Sequence, residues 1–364
     1  MKINFIDLQA QYREYRSEID QEVYEVFSSA QFIGGEKLNR FEDALSAYTG
    51  SKHAIGCSSG TDALLLSLMA LDIGPGDEVI TTPFTFISTA EVIALLGAKP
   101  VFVDILEETY NIDPAKIEKV ITENTKAIIP VSLYGQCADM DAINAIADKH
   151  GLTVIEDGCQ SFGATYKGKK SCNLSTIGCT SFFPSKPLGA YGDGGAIFTN
   201  SDKLAEKIRM LLNHGQNERY RHKYIGINGR LDAVQAAVLN VKLKHFSKEV
   251  EKRMEIAERY TVMLEETSLI TPYIEPHNTS VYAQYSVRVK DREGMVAKLS
   301  ARDIPTAVHY PLPLHLQEVF TYLGHKKGDF PVSEKVASEI LSLPMSPYLT
   351  EEQQDFIVEA IKGE

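Results

Sequence analysis

Residues 78–104 read EVITTPFTFISTAEVIALLGAKPVFVD, and this stretch indicates the fold of the chain. It contains two short apolar runs, Glu78–Thr82 and Pro100–Asp104, on either side of a helical pattern over Ala90–Leu96. Runs that are apolar on both faces suit parallel strands covered by helices on both sides of a sheet. The stretch therefore predicts a strand–helix–strand unit of an α/β sheet.

The same alternation continues on both sides of this unit. Apolar, β-branched runs predict five more strands, at His53–Cys57, Ala127–Val131, Thr153–Glu156, Thr180–Phe183 and Gly195–Thr199. Helical patterns lie among them at Thr61–Leu71, Met140–His150 and Asp202–Leu212. We therefore expect one mostly parallel, seven-stranded sheet with helices on both faces.

The pattern changes after Asp232. A long helical stretch, Asp232–Thr267, with a break expected near Ser247, leads into strands predicted at Val281–Val289 and Thr306–Tyr310. Further helical patterns follow at Arg292–Leu299, Val332–Ile340 and Glu351–Ile361. We expect a large domain over residues 1–250 and a smaller α+β domain over residues 251–364.

Composition and charge limit the possible functions. Of the 364 residues, 44% are hydrophobic, which is enough for a sizeable core. The formal net charge of −12 argues against a binder of nucleic acid or of membrane surfaces. The start of the chain lacks the pattern of a signal peptide, and the apolar runs are too short to span a membrane. Five cysteines without a Cys-x-x-Cys motif fit a reduced compartment, so we expect a cytoplasmic protein.

In an open α/β sheet, ligands bind beyond the carboxyl ends of the strands, so the residues after each strand are the candidates for a site. The first predicted strand is followed by Ser58-Ser59-Gly60-Thr61-Asp62, which opens a helix. Free N–H groups and the helix dipole suit a phosphate there, Gly60 permits close approach and Thr61 adds a hydroxyl. Capping of the helix by Ser59 or Thr61 is the alternative interpretation.

Two more candidates follow other strands. Asp157 lies where an apolar strand ends, and a carboxylate there can pair with a cationic ligand nitrogen. The alternative interpretation is that Asp157 is a turn or helix-cap residue. Lys186 follows an aromatic run, Ser181–Phe183, in a glycine-rich loop. Desolvation lowers the pKa of a lysine and makes its amine nucleophilic, as Schiff-base chemistry requires. The alternative interpretation is a surface lysine in a glycine-rich loop.

Together the three signals match the needs of pyridoxal 5'-phosphate: a phosphate cradle, a carboxylate for the ring nitrogen and an amine for the aldehyde. The cofactor acts as an electron sink while its ring nitrogen stays protonated, which Asp157 would secure. No Gly-x-Gly-x-x-Gly follows a strand, and there is no Walker loop. No His/Cys cluster has the spacing of a zinc site, so we expect no metal.

Two interpretations from other classes remain open at this point. Gly56-Cys57-Ser58-Ser59-Gly60 matches Gly-x-Ser-x-Gly in a strand–turn–helix context, which allows a serine hydrolase that uses Ser58, Asp157 and His309. The missing His-Gly-Gly-Gly oxyanion segment argues against it. The second interpretation is a regulator that binds a cofactor without catalysing a reaction. The absence of a basic DNA-reading segment argues against it.

Five motifs carry a resemblance to a known family: Phe5-Ile6-Asp7-Leu8, Ser59-Gly60-Thr61, Glu156-Asp157-x-x-Gln160, Ser181-Phe182-x-x-x-Lys186-x-Leu188-Gly189 and Gly192-Asp193-Gly194-Gly195. Over essentially its whole length the sequence resembles the DegT/StrS nucleotide-sugar aminotransferases, which have the PLP-dependent transferase fold type I. Relatives with His in place of this lysine are dehydratases, so Lys186 implies amino transfer.

Residues 130–139 and 181–200 look most like one branch, the UDP-2-acetamido-2-deoxy-ribo-hexuluronate transaminases. The resemblance implies transfer from L-glutamate to carbon 3 of a UDP-linked 2-acetamido keto-uronic acid, for bacterial surface polysaccharide (O-antigen). A 4-keto-6-deoxy nucleotide sugar is the alternative acceptor.

The resemblance also implies individual roles. Phe86 stacks on the cofactor ring, with Phe84 as a nearby alternative, and Gln160 bonds the phenolic oxygen. Ser59, Gly60, Thr61 and Ser181 surround the phosphate. Asn228 reaches the cofactor of a neighbouring subunit, which requires a homodimer. The nucleotide sugar is expected to meet Arg230, His309 and Tyr310, and the basic segment with Arg219, Arg221 and Lys223 either meets it too or is solvated.

Overall fold

The computed structural model describes residues 1–363 and is built around one seven-stranded sheet. Its strands are β1 (His53–Cys57), β2 (Glu78–Thr81), β3 (Lys99–Phe102), β4 (Thr125–Ile128), β5 (Thr153–Asp157), β6 (Ile177–Ser181) and β7 (Gly195–Thr199). Their spatial order is β1-β7-β6-β5-β4-β2-β3. Strand β7 is antiparallel to both of its neighbours, whereas the ladders from β6 to β3 are parallel.

Helices cover both faces of this sheet. The helices of the chain are α1 (Leu8–Ser29), α2 (Glu36–Thr49), α3 (Gly60–Ala70), α4 (Ser88–Leu95), α5 (Pro114–Ile117), α6 (Met140–His150), α7 (Asp202–Leu211), α8 (Ala233–Leu264), α9 (Arg292–Ser300), α10 (Pro331–Glu339) and α11 (Glu351–Lys362). Apolar residues of α3, α4 and α7 fill the core on one face, and those of α2 and α8 pack on the other. The predicted α/β class and mostly parallel seven-stranded sheet are confirmed.

The C-terminal part has its own apolar core, which joins the second half of α8 to α9, α11 and two antiparallel strands, β8 (Tyr285–Arg288) and β9 (Ile340–Leu343). The expected domain boundary at residue 250 falls inside α8, so the two predicted domains share this helix. In the part of the chain that the structure describes, no helix has both the length and the apolar character needed to cross a bilayer.

Three sequence predictions were wrong in detail. Helix α8 has no break at Ser247, because buried residues on both sides of this position hold the helix and override the weak helix propensity of serine. The strand expected at Thr306–Tyr310 is reduced to a single bridge between Ala307 and Ser342. Ile340, expected to end a helix, begins β9 instead, since it pairs with Arg288.

Candidate active site

The carboxyl ends of β1, β5 and β6 meet at one edge of the sheet, and Gly60 shows how closely. A Cβ atom on Gly60 would lie 2.7 Å from Cβ of Ser181 and 2.9 Å from Sγ of Cys159. The start of α3 therefore touches the segments that follow β5 and β6, and only glycine fits at the contact.

The start of α3 is capped by one serine and leaves other donors free. The Oγ atom of Ser59 accepts a 3.0 Å hydrogen bond from the Asp62 amide, so the capping interpretation holds for Ser59. The Ser58 hydroxyl donates to Asp62 Oδ2. Thr61 is partly exposed, and the backbone N–H groups of Gly60 and Thr61 donate to no group among the described residues. These groups can receive an anion.

Asp157 is a buried carboxylate at the last position of β5, with 3% of its surface exposed. Its Oδ2 atom accepts a 2.8 Å hydrogen bond from Thr89 Oγ1, and its Oδ1 atom accepts a 3.2 Å bond from the Cys159 amide. Each oxygen keeps a second lone pair. The carboxylate is thus held in place and can still accept a hydrogen bond from a ligand.

Lys186 lies in a tight turn after β6, where its amide donates to the Phe183 carbonyl over 2.8 Å. Burial lowers the pKa of the Lys186 amine, and the neighbouring Cys159 and Asp157 act in the opposite direction with a smaller effect. Desolvation therefore favours the neutral, nucleophilic form of this amine.

Gln160 joins the large sheet to the C-terminal part of the chain. Its Oε1 atom accepts a 2.9 Å hydrogen bond from the Tyr134 amide, and its Nε2 atom donates to the Tyr310 hydroxyl over 3.1 Å. Burial, with smaller contributions from Asp157 and others, raises the pKa of Tyr310, so its hydroxyl stays protonated. Gln160 and Tyr310 thus form one hydrogen-bonded pair beside Asp157.

The two phenylalanines after β2 have different environments. Phe84 is fully buried in an apolar cluster, whereas Phe86 is 52% exposed and its ring centroid lies 6.1 Å from that of Tyr310. Phe84 is therefore a core residue, and Phe86 is the one that has a free ring face at the pocket.

His309 is held by one group from the C-terminal part and one from the large domain. Its Nδ1 atom lies 3.1 Å from Ser342 Oγ, and its carbonyl accepts from the Tyr134 hydroxyl. Burial, together with the charge of Lys186, lowers the pKa of His309. The ring is thus mostly neutral at neutral pH.

The serine-hydrolase interpretation is not supported by this geometry. Within residues 1–363 no hydrogen bond joins Ser58, Asp157 and His309 to one another, because each is bonded to a different group. A nucleophile and its base must lie within hydrogen-bond reach, and Ser58 has a carboxylate there instead of an imidazole.

Arg230 and Asn228 lie on a segment that runs beside the start of α3. The Ser58 amide donates to the Gly229 carbonyl over 2.9 Å, and Arg230 forms a β-bridge with Cys57. Arg230 Nη1 donates to Asn213 Oδ1 over 2.6 Å, while its buried Nε has no partner among the described residues. The side chain of Asn228 is exposed.

The basic segment forms a short exposed hairpin, Gln216–Glu218 with Arg221–His222. Arg221 lies 3.5 Å from Glu218, and the Arg219 guanidinium lies 5.2 Å from the ring centroid of Tyr220. The side chains of Glu218, Arg219, Tyr220 and Arg221 are exposed in the single chain. This agrees with the interpretation of the basic segment as a solvated loop.

Thr89, Tyr134 and Cys159 belong to this site and were not predicted from the sequence. Thr89 and Tyr134 touch Asp157 and Gln160 only through the tertiary fold. Cys159 lies between Asp157 and Gln160 in the sequence, and this position was the signal from which it could have been predicted. The described residues contain no group of His, Cys, Asp and Glu side chains arranged to hold a metal ion.

Comparison with known proteins agrees with this geometry. The chain is 55% identical, over 95% of its length and 96% of the relative's, to a Pseudomonas aeruginosa protein named UDP-2-acetamido-2-deoxy-3-oxo-D-glucuronate aminotransferase. It is 51% identical, over 99% of its length and 98% of the relative's, to a Geobacillus stearothermophilus protein named pleiotropic regulatory protein. The crystal structure of DesV from S. venezuelae superposes with a TM-score of 0.97 at 39% identity, covering 100% of this chain and 98% of that one.

The relatives also identify the cofactor. Aminotransferases of the family to which these relatives belong depend on pyridoxal phosphate. Solved structures of relatives include forms with bound PLP and PMP. Residues 13–362 match the model of a single family. The chain is a member of the DegT/DnrJ/EryC1/StrS aminotransferase family.

Proposed function

We propose that this enzyme transfers an amino group from L-glutamate to the carbon 3 keto group of a UDP-linked 2-acetamido keto-uronic acid. The product would serve bacterial surface polysaccharide such as O-antigen. The name of the Pseudomonas aeruginosa relative supports this acceptor, since that protein is 55% identical over 95% of the chain. The observation that carries the proposal is the convergence of Lys186, Asp157 and the start of α3 on one pocket.

The residues present fit pyridoxal phosphate. A Cβ at Gly60 would fill the cradle between α3 and Ser181, and the free N–H groups of the first turn suit a phosphate. The buried Asp157 carboxylate suits a protonated ring nitrogen. When bound, the cofactor supplies an electron sink for the carbanion that forms at the reacting carbon.

Lys186 would act as the covalent anchor and as the proton carrier. Desolvation lowers the pKa of its amine and favours the neutral form. Once the amino donor has displaced this amine, it would be able to take a proton from Cα of the donor. The same Nζ atom would then return a proton. In the second half-reaction the same steps would run in reverse, with the keto sugar as the substrate. This sequence requires ping-pong kinetics.

The remaining pocket residues would orient the cofactor. Phe86 has the free ring face for stacking. Gln160, whose Nε2 atom also donates to the Tyr310 hydroxyl, would meet the phenolic oxygen, and Tyr310 would face the acceptor. Ser181 and Thr61 would add hydroxyls to the phosphate.

Arg230 and His309 would bind the acceptor. The Nε–H group of Arg230 is a buried donor without a partner among the described residues, and an unmet donor is costly unless a ligand accepts from it. A guanidinium suits the carboxylate or pyrophosphate of a nucleotide-linked uronic acid. His309, mostly neutral, would offer a hydrogen bond rather than a charge.

We also propose that the enzyme is a cytoplasmic homodimer with shared sites. Asn228 is exposed beside the start of α3, where it is free to reach a second chain. Large apolar side chains are also exposed, including Phe183 at 51% and Ile225 at 90%. Contact with a second subunit would remove this surface from water.

The test is an amination assay with L-glutamate and three acceptors: the UDP-linked 3-keto uronic acid, UDP-N-acetyl-3-keto-glucosamine and a dTDP-linked 4-keto-6-deoxy sugar. We expect product chiefly from the first. Product from the 4-keto sugar alone would overturn the acceptor and leave amino transfer intact. Inert protein with bound cofactor would favour the regulator interpretation instead.

A further inference from the structure

The segment that carries Lys186 is a closed loop, residues 182–194, which we call the lysine loop. The Phe182 amide donates to the Gly194 carbonyl over 2.7 Å, and the Ala190 amide donates to the Phe182 carbonyl over 2.7 Å. These bonds join the ends of the loop to each other. Within the loop, the Lys186 amide also donates to the Phe183 carbonyl over 2.8 Å, and further contacts come from outside the loop.

Two side chains of α8 supply such contacts. The Lys242 ammonium donates to the Gly189 carbonyl and lies 5.0 Å from the ring centroid of Tyr191. One heptad earlier on the same helix face, Gln235 Oε1 accepts a 2.9 Å hydrogen bond from the Tyr191 amide. Helix α8 therefore contacts the lysine loop at two nearby residues, Gly189 and Tyr191.

The Gly189 carbonyl is a fixed target for this contact. A Cβ atom on Gly189 would lie 2.3 Å from the Pro184 carbonyl oxygen, so the two sides of the turn are in direct contact. Only two residues, Pro187 and Leu188, separate Gly189 from Lys186. A shift of the Gly189 carbonyl must therefore move the backbone from which the Lys186 side chain extends.

The burial of Lys242 is not explained by ion pairing. The side chain is 2% exposed, and among residues 1–363 no carboxylate forms a salt bridge with it. The nearby Glu249 instead accepts from Gln11 and from the Tyr348 hydroxyl. Burial lowers the pKa of Lys242 to about 8. A buried ammonium without a partner carboxylate destabilises the fold, which points to a role other than stability.

We propose that Lys242, assisted by Gln235, is a positioning residue that holds the lysine loop so that the Lys186 amine stays desolvated and aimed at the cofactor. This inference rests on the proposed role of Lys186. Lys242 touches neither the substrate nor the cofactor, and it acts through the Gly189 carbonyl.

The test compares Lys242→Met with the unmodified enzyme. Methionine fills similar apolar space but donates no hydrogen bond. In the cofactor-free protein, we expect hydrogen exchange of the amides in 183–192 to become about tenfold faster, as for the loss of one charge-assisted hydrogen bond. In the holoenzyme, the pH midpoint of the cofactor absorbance change should move, and kcat should fall about tenfold while KM stays within about twofold.

The matched control is Asn240→Ala. Asn240 lies on the same helix, is also buried and donates to a backbone carbonyl outside the lysine loop, that of Lys37 in α2. This variant should leave the exchange of 183–192 and the absorbance midpoint unchanged. If Lys242→Met does not fold, Gln235→Ala should produce the same local increase in exchange.

Unchanged exchange and an unchanged midpoint in Lys242→Met, or in Gln235→Ala where that variant is the one used, would overturn the inference. The exchange measurement needs no cofactor, so it separates this failure from failure of the proposed function. The proposed function fails if Lys186→Ala retains turnover, whatever the exchange shows.

Discussion

The Thr89 hydroxyl donates a 2.8 Å hydrogen bond to Oδ2 of Asp157, linking the start of α4 to the end of β5. Both residues are buried, so the bond is not exchanged with water. Thr89 thereby fixes the plane of the Asp157 carboxylate.

Replacing Thr89 with Val should weaken the site without altering its shape. The Asp157 carboxylate loses one of the hydrogen bonds that hold it in place, so its hydrogen bond to a protonated ring nitrogen should weaken. We expect cofactor affinity and kcat/KM to fall about tenfold, since one hydrogen bond to a charged group is lost. Thr81→Val is the control, because Thr81 donates to the Ile129 carbonyl and not to Asp157. Equal behaviour of the two variants would contradict this role.

Lys186→Ala should abolish turnover. The Lys186 amine is a desolvated base beside Asp157, and alanine has no group to carry the proton. Borohydride reduction of the holoenzyme followed by peptide mapping should place the cofactor on residue 186. Lys170→Met is a suitable control, since Lys170 is also partly buried but contacts Tyr48 and the Gly163 carbonyl. A labelled peptide elsewhere would refute the assignment.

Gly60→Ala should impair cofactor binding. The new Cβ would lie 2.7 Å from Ser181 Cβ, so α3 or the end of β6 must shift. Overpacking of this kind costs about 1–3 kcal/mol, measurable as a lower free energy of unfolding and weaker PLP binding. Gly74→Ala is the comparison, since nothing lies within 4 Å of a Cβ there. Normal PLP affinity in Gly60→Ala would show that the cradle is elsewhere.

Arg230→Gln should affect the acceptor more than the donor. Loss of the guanidinium removes a charge-assisted contact, for which we expect about a 10- to 100-fold lower kcat/KM for the nucleotide sugar. The glutamate half-reaction, followed by cofactor absorbance in single turnover, should change less. The reverse pattern would assign Arg230 to the donor carboxylate.

Glu156 should make the stability of the cofactor-free protein depend on pH. Burial raises the pKa of Glu156 to about 6, against its ordinary value of 4.5. The folded state thus binds more protons than the unfolded state between these values. The contribution is fully present below about pH 4.5 and is lost as the pH rises through about 6.

The size of this effect is about 2 kcal/mol, because the pKa of Glu156 is about 6 in the folded protein against an ordinary value of 4.5. Urea unfolding of the wild type and of Glu156→Gln between pH 4 and pH 7 isolates it, because the other titrating groups are common to both proteins. The difference in the free energy of unfolding should change across this range. A constant difference would mean that Glu156 does not titrate there.

The sequence alone determined the α/β sheet and the identity of the chemical groups. Seven apolar runs alternate with helical patterns, and this periodicity is local information that the chain carries everywhere. Asp157 and Lys186 were found because each follows a strand, and the carboxyl ends of parallel strands meet at one edge. Helices α1 and α2 were not predicted.

The tertiary structure decided which neighbours those groups have. Long-range contacts join Thr89 to Asp157, separate Ser58 from His309, and bury Phe84 while leaving Phe86 open. No sequence spacing specifies such contacts, because they depend on how helices pack across the sheet. Desolvation of Lys186 has the same origin: the pKa of an amine depends on what surrounds it, and only the folded chain supplies those surroundings.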